Sequence, residues 1–326
     1  MKKLCLSLFH FIFYAYVPII ASTVLLLACG GGNKDSTASL AQQAGSAPAE
    51  LILCGWDEVF ILELSHAQDS SPRKVWSWKA ANCPDLPDSM KARFATTDEC
   101  KPLDGGRRIL ITASSDGVAL VERESGRALF YALAPNAHSA EFLPGGRIAV
   151  AASHRPGGAG DRLIVFDLGT PGKELCSYDL PWGHGVVWDD QRELLWALAD
   201  KDIRMFKLRD WNSQNPSLES VDLIELPESG GHDFSPVPGT AKIALSTSNH
   251  CWLFDRLRHT FQPHPELADK RRLKCISYNP STGQVAWVQA EGENWWAEKV
   301  RFLHPEHTLN LPGMRLYKAR WNYPKN

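Results

Sequence analysis

The chain contains no CxxC pair, no GxSxG, HExxH or P-loop sequence, and no GxGxxG between a strand and a helix. Zinc-ribbon, thioredoxin-type, serine-hydrolase, zincin and phosphate-cradling chemistries each depend on one of those spacings, so none of them is indicated. Neither sign of charge dominates: 35 Lys and Arg face 37 Asp and Glu, for a formal net charge of −2. A nucleic-acid partner calls for a clustered basic excess, so no nucleic acid is expected. Long amphipathic stretches with a 3.6-residue period are also missing, which argues against strands alternating with helices.

What is present starts with the N-terminus. Lys2 and Lys3 precede an almost wholly apolar stretch from Leu4 to Ala28, the pattern of a secretion signal over residues 1–28. Leu26-Leu27-Ala28-Cys29 resembles a bacterial lipobox, with Leu27 bulkier than usual at its place, so Cys29 is the expected lipidation site and membrane anchor. About 20 apolar residues also suffice to span a bilayer, so an uncleaved anchor is the alternative. Residues 29–49, from Gly30-Gly31-Gly32 onward, are small, polar and without pattern, as in a flexible tether. Both readings put the remainder outside the cytoplasm. Gly30 stands where an Asp would signal inner-membrane retention, which favours the outer membrane of a Gram-negative cell envelope.

Six cysteines follow: Cys54, Cys83, Cys100, Cys176, Cys251 and Cys275. An oxidising compartment permits disulfides, and Cys83–Cys100 is the expected pair; the alternative is buried thiols acting as small apolar residues.

Internal repeats decide the fold. Ala137-His138-Ser139-Ala140-Glu141, Gly183-His184-Gly185-Val186-Val187-Trp188-Asp189, Gly231-His232-Asp233-Phe234-Ser235-Pro236 and Lys274-Cys275-Ile276-Ser277-Tyr278 each read as a short strand entering a polar turn. Apolar second strands follow at Arg147–Ser153, Glu193–Ala199, Ala241–Thr247 and Gln284–Gln289. An earlier unit begins at Asp98, with later strands at 108–113, 118–122 and 128–131. Four short strands every ~40–50 residues is the period of a propeller blade. Arg315–Trp321 is an inner strand with no blade after it, and 51–54, 58–64 and 74–78 are three strands with no inner strand before them. Joining the two ends gives an all-β, six-bladed β-propeller over residues 50–326 that leaves no open sheet edge. Residues 79–97 are too short for a seventh blade.

Phe166-Asp167, Phe254-Asp255 and the turn Phe234-Ser235-Pro236 look like degenerate WD-repeat signatures, although the WD-repeat His lies further before its turn than His232 does. Asn136-Ala137-His138-Ser139-Ala140-Glu141, Gly183–Asp189 and Leu194-Leu195-Trp196-Ala197-Leu198 resemble a family of functionally uncharacterised bacterial lipoprotein propellers. That resemblance covers about residues 50–326 and implies a fold without an activity.

His138, His184 and His232 occupy one position in three successive units, and Asp98, Lys274 and Lys318 take it in the others. Inner strands line a propeller channel, so these residues are expected to ring one mouth. Loops between second and third strands are expected to bring Asp57, Asp116, His154, Asp200, Asn249 and Glu293 to the same face. Three readings stay open. The histidines are structural hydrogen-bonders repeated from one template; or the ring binds a small polar ligand such as a carbohydrate; or His138, His184 and His232 hold a divalent metal, Zn²⁺ or Mn²⁺, in a lyase or hydrolase acting on sugar acids. A scaffold that binds a partner protein is a further class. Trp295-Trp296 would stack on a sugar or on a neighbouring blade. Asp189-Asp190 and His304-Pro305-Glu306-His307 read as surface turns, and Arg315, Lys318, Arg320 and Lys325 as a solvated basic end.

Overall fold

Runs such as Arg108–Ala113, Arg147–Ala152 and Leu194–Leu198 are apolar on both faces, as a strand covered from two sides requires. In the computed structural model, which describes residues 48–322, they are second strands of six four-stranded antiparallel sheets arranged as a β-propeller. The signal segment, Cys29, the tether as far as residue 47 and Lys325 lie outside the described residues. Among the described residues, no helix is long and apolar enough to cross a membrane.

The inner strands of blades 2 to 6 are Thr97–Leu103, Ala137–Leu143, Gly185–Asp189, Phe234–Pro236 and Leu273–Tyr278. Blade 1 is completed from the other end of the chain: Lys318–Asn322 pairs antiparallel with Ala49–Gly55, Leu53 opposite Ala319 and Cys54 opposite Lys318. Glu58–Leu64 and Arg73–Trp78 are its outer strands. Closure is pinned by Glu50, whose carboxylate takes two hydrogen bonds from Arg123 of blade 2 (2.6 and 2.7 Å) and one from Asn322 (2.7 Å).

Six apolar clusters fill the joints between neighbouring blades. Ile52 and Ile61 meet Ile109 and Ile111 between blades 1 and 2. Val288 and Phe302 meet Leu51 and Trp321 between blades 6 and 1, so the core runs unbroken around the ring. Residues 79–96 form short helical turns, with Phe94 edge-on to Trp78 at 5.4 Å, and contribute no blade.

Three sequence expectations are corrected here. The six cysteines are free thiols: Cys83 Sγ faces Gly126 O (3.6 Å) on the blade 2 hairpin, whereas Cys100 Sγ faces Ile52 O (3.7 Å) in the inner strand. Asp189 is buried, bound by Arg192 (2.8 Å) and by Arg256 of blade 5 (2.6 Å), so it ties two blades together and only Asp190 faces outward. The basic C-terminal residues are not all solvated, since Lys318 and Arg320 lie inside the channel. The turn at His304–His307 is a surface turn, His304 pairing with Glu266 at 2.8 Å.

Candidate functional site

Each inner strand opens with an extra residue. Thr97 pairs with Ala113 and Glu99 with Thr112, so Asp98 is left between them; His138 and Lys274 are placed the same way. In blade 4 the His184 N–H donates to Leu198 O (3.0 Å), although Gly185 is the residue opposite Leu198. His232 and Asp233 both bond Ser246, and Tyr317 donates to Cys54 O (2.8 Å) while Lys318 is opposite Cys54. A bulge re-aims one side chain out of the pleat, and six of them in register build a ring at one mouth. Its members are Asp98, His138, His184, His232, Lys274 and Tyr317. The sequence reading placed Lys318 in this ring; the bulge puts Tyr317 there and moves Lys318 one level deeper.

Within the ring the imidazoles form a row, His138 to His184 at 4.3 Å and His184 to His232 at 4.5 Å between ring centroids. Nδ1 of His138 lies 2.9 Å from Asn136 O, and Nδ1 of His184 lies 2.7 Å from Trp182 O. A carbonyl only accepts, so both Nδ1 atoms carry the proton and both Nε2 atoms keep a lone pair. His232 Nε2 faces two donors, the Lys274 ammonium (3.0 Å) and the Tyr317 hydroxyl (2.8 Å). Burial lowers the His138 pKa to about 4, and burial with neighbouring positive charge pushes His184 and His232 well below the usual value. The row is therefore neutral. Burial, helped by Arg272, lowers Lys274 to about 8, and burial raises Asp98 to about 7 against the hydrogen bond from Ser114.

One level below, Glu99, Asp233 and Lys318 point into the channel, and Arg320 reaches up from the next level. Lys318 Nζ lies 3.3 Å from Glu99 and 3.2 Å from Asp233; Arg320 lies 2.8 Å from Glu99 and 2.6 Å from Asp233. Both carboxylates are fully buried, with 1% of Lys318 and 5% of Arg320 exposed, so the four charges plug the channel. Burial opposes each charge, yet the partners outweigh it: both acids sit below their ordinary range and both bases above it.

Above the row, a cavity of about 530 Å³ lies over blades 4 to 6, lined by Trp182, His184, His232, Arg272, Lys274 and Asp200. Among the described residues neither Lys274 nor Arg272 has a carboxylate partner; the Arg272 guanidinium is held by the carbonyls of Gly292 and Asn294. Asp200 accepts a hydrogen bond from Gly230 N (2.9 Å). The residue two places before the ring position is left-handed in four blades: Asn136 (φ 51°), Trp182 (51°), Gly230 (87°) and Arg272 (58°). Asn and Gly adopt that region readily; Trp and Arg do so at a cost of about 1–2 kcal/mol.

His184, His232 and Lys274 thus share a cavity, as the sequence reading expected, while His138 completes the row. Asp98 is buried on Ser114 N, and Lys318 belongs to the plug. His154 reaches the same face but stands on the rim, bonded to Asp161 (2.8 Å) and stacked on Trp182 (4.6 Å). Trp295 stacks on Trp56 of the neighbouring blade 1, as one of the two readings foresaw, and stays partly exposed. The three imidazoles are consecutive neighbours, yet among the described residues no group of three or more His, Cys, Asp or Glu is arranged to hold a metal ion. Trp182, Arg272, Tyr317, Glu99, Asp233 and Arg320 were not singled out from the sequence as site residues. The adjacent polar pairs Asp98-Glu99, His232-Asp233 and Tyr317-Lys318 were the available signal.

A family model spans residues 18–325 of the chain. The chain belongs to DUF6528, a family of unknown function. No curated protein matches it. Among solved structures, it is similar to a chain in the crystal structure of a nidogen/laminin complex, with 13% identity and a TM-score of 0.56 over 85% of this chain and 100% of that one. At that identity the likeness speaks for the fold, and this DUF6528 propeller has to be read from its own mouth.

Proposed function

We propose that this propeller is a binding module for a small anionic ligand, a sugar acid, seated in the mouth cavity. The observation that carries the reading is the pair Lys274 and Arg272. Two cations line one cavity without an ion-pair partner among the described residues, and burial presses Lys274 toward losing its charge, which the more distant Asp98 offsets only in part. A bound carboxylate would offset that cost, as charge-assisted hydrogen bonds do. The Nε2 of His184, which keeps its lone pair, and the Asp200 carboxylate are acceptors suited to sugar hydroxyls.

Calorimetric titration with galacturonate tests this, with galactose as the uncharged control. Galacturonate is expected to bind and galactose to bind far more weakly, with Lys274→Met lowering galacturonate affinity at least tenfold. Binding needs Lys274 charged and is helped by protonated Asp98, so affinity is expected to fall as pH rises from 7 to 9. Equal binding of both sugars, or none of either, defeats the proposal and leaves a protein-binding scaffold as the better reading.

The same proposal sets the module on the outer membrane through lipidated Cys29. In cells, Cys29→Ser is expected to lose the mass of the acyl chains and to keep its uncleaved apolar segment, because cleavage before the cysteine depends on that cysteine. A variant still anchored and unchanged in mass would show that the apolar segment itself is the anchor.

A further inference from the structure

The cavity has two walls that the fold keeps under backbone strain. Three of the four left-handed residues, Trp182, Gly230 and Arg272, line the cavity, and two of them are large side chains that take this conformation at a cost. An indole and a guanidinium on adjoining walls match a ligand with an apolar face and an acidic group, which describes a uronate ring. One face of Trp182 is covered by His154, while half of the residue stays exposed (50%).

A second aromatic platform stands beside the cavity, on the loop whose carbonyls hold Arg272. Trp295 is 38% exposed, stacks on Trp56 at 4.9 Å and sits edge-on to Tyr317 at 5.6 Å. Arg315 also packs over the Trp56 ring at 4.5 Å, and the exposed member of the stack is Trp295. Trp182 enters blade 4, whereas Trp295 directly follows Asn294, whose carbonyl holds Arg272, so it stands just outside the blade 6 end of the cavity. Trp295 does not line the cavity, so a sugar on Trp295 is a different sugar from the one on Lys274 and Arg272.

Resting on the anion-binding reading above, we infer that the ligand is an acidic oligosaccharide. Its acidic sugar occupies the cavity against Trp182, Lys274 and Arg272, and its chain runs past Tyr317 to stack on Trp295. Pyranose rings offer C–H faces to indoles, and the acceptors between the two platforms meet their hydroxyls.

The test is calorimetric titration of the mature protein with galacturonate and mannuronate oligomers of one to four units, beside neutral glucose oligomers. At least one acidic series is expected to gain about three- to tenfold in affinity on going from monomer to trimer, the scale of one added aromatic contact, and the neutral series is not. Trp295→Ala is expected to erase that gain and leave monomer binding unchanged. Trp182→Gly is expected to weaken monomer and trimer alike while the melting temperature holds, because glycine suits the left-handed backbone. Monomers that bind while trimers bind no tighter would overturn the inference and spare the anion site. Unchanged trimer affinity in Trp295→Ala would overturn it as well. Failure of every uronate to bind would instead remove the reading on which it rests.

Discussion

Replacing Arg320 with Leu is expected to remove about 3–5 kcal/mol of folding stability, the cost of breaking a buried ion pair from one side. Arg320 contacts both Glu99 and Asp233, which are fully buried. Without it, two carboxylates would share Lys318 alone in a space that excludes water, and one of them would be driven toward protonation. The effect is global because the plug spans the ring: Arg320 and Lys318 come from the closing strand of blade 1, Glu99 from blade 2 and Asp233 from blade 5. Urea denaturation followed by tryptophan fluorescence checks it. Replacing all four groups together, with Glu99→Gln, Asp233→Asn, Lys318→Met and Arg320→Leu, is expected to recover much of the loss, since no unpaired charge then remains. A loss under about 1 kcal/mol in Arg320→Leu would show that the plug is not closed to water.

Acidification is expected to weaken the fold through the histidine row. His138 titrates near 4 when folded, against about 6.5 in an unfolded chain. Between those values the unfolded chain binds the proton and the folded one does not, so stability falls as pH drops from 6.5 toward 4. The shift corresponds to at most about 3 kcal/mol for His138, because its ring is partly accessible at the mouth. His184 and His232 act in the same sense. Asp98 acts in the opposite one: its folded pKa is raised to about 7, so it gains protons earlier when folded and stabilises the protein as pH falls. A difference measurement separates the two. The stability gap between wild type and His138→Gln is expected to change by about 2–3 kcal/mol between pH 7 and pH 4.5. A gap that stays constant would mean that water reaches the row.

The propeller was legible because its evidence is local and repeated. Turns such as Leu143-Pro144-Gly145 and strands such as Leu194–Leu198 recur at blade spacing, and the orphan strand at 315–321 had one place to go. The level of each histidine was legible for the same reason. Lys318 was misplaced because a bulge is a two-against-one pairing, and a one-residue offset at the head of a strand exchanges the mouth-facing side chain for the channel-facing one. Arg320 was read as solvated because a charged residue near the chain end is usually exposed, and its partners, Glu99 and Asp233, are distant in sequence. Trp182 carried no signal in the sequence; its left-handed backbone and its place on the cavity wall emerge only from three-dimensional packing. Cys83 and Cys100 were paired on loop size, which says nothing of the directions in which their side chains point.

The most direct measurement is a crystal structure of the protein grown at pH 6.5 with galacturonate. Binding at the mouth predicts density for the sugar between Lys274 and Arg272, its carboxylate on both cations and its ring against Trp182. Sugar density elsewhere, as in the cavity where Lys101 pairs with Glu141 (3.0 Å) near Arg320, or an empty mouth at saturating galacturonate, would contradict the site.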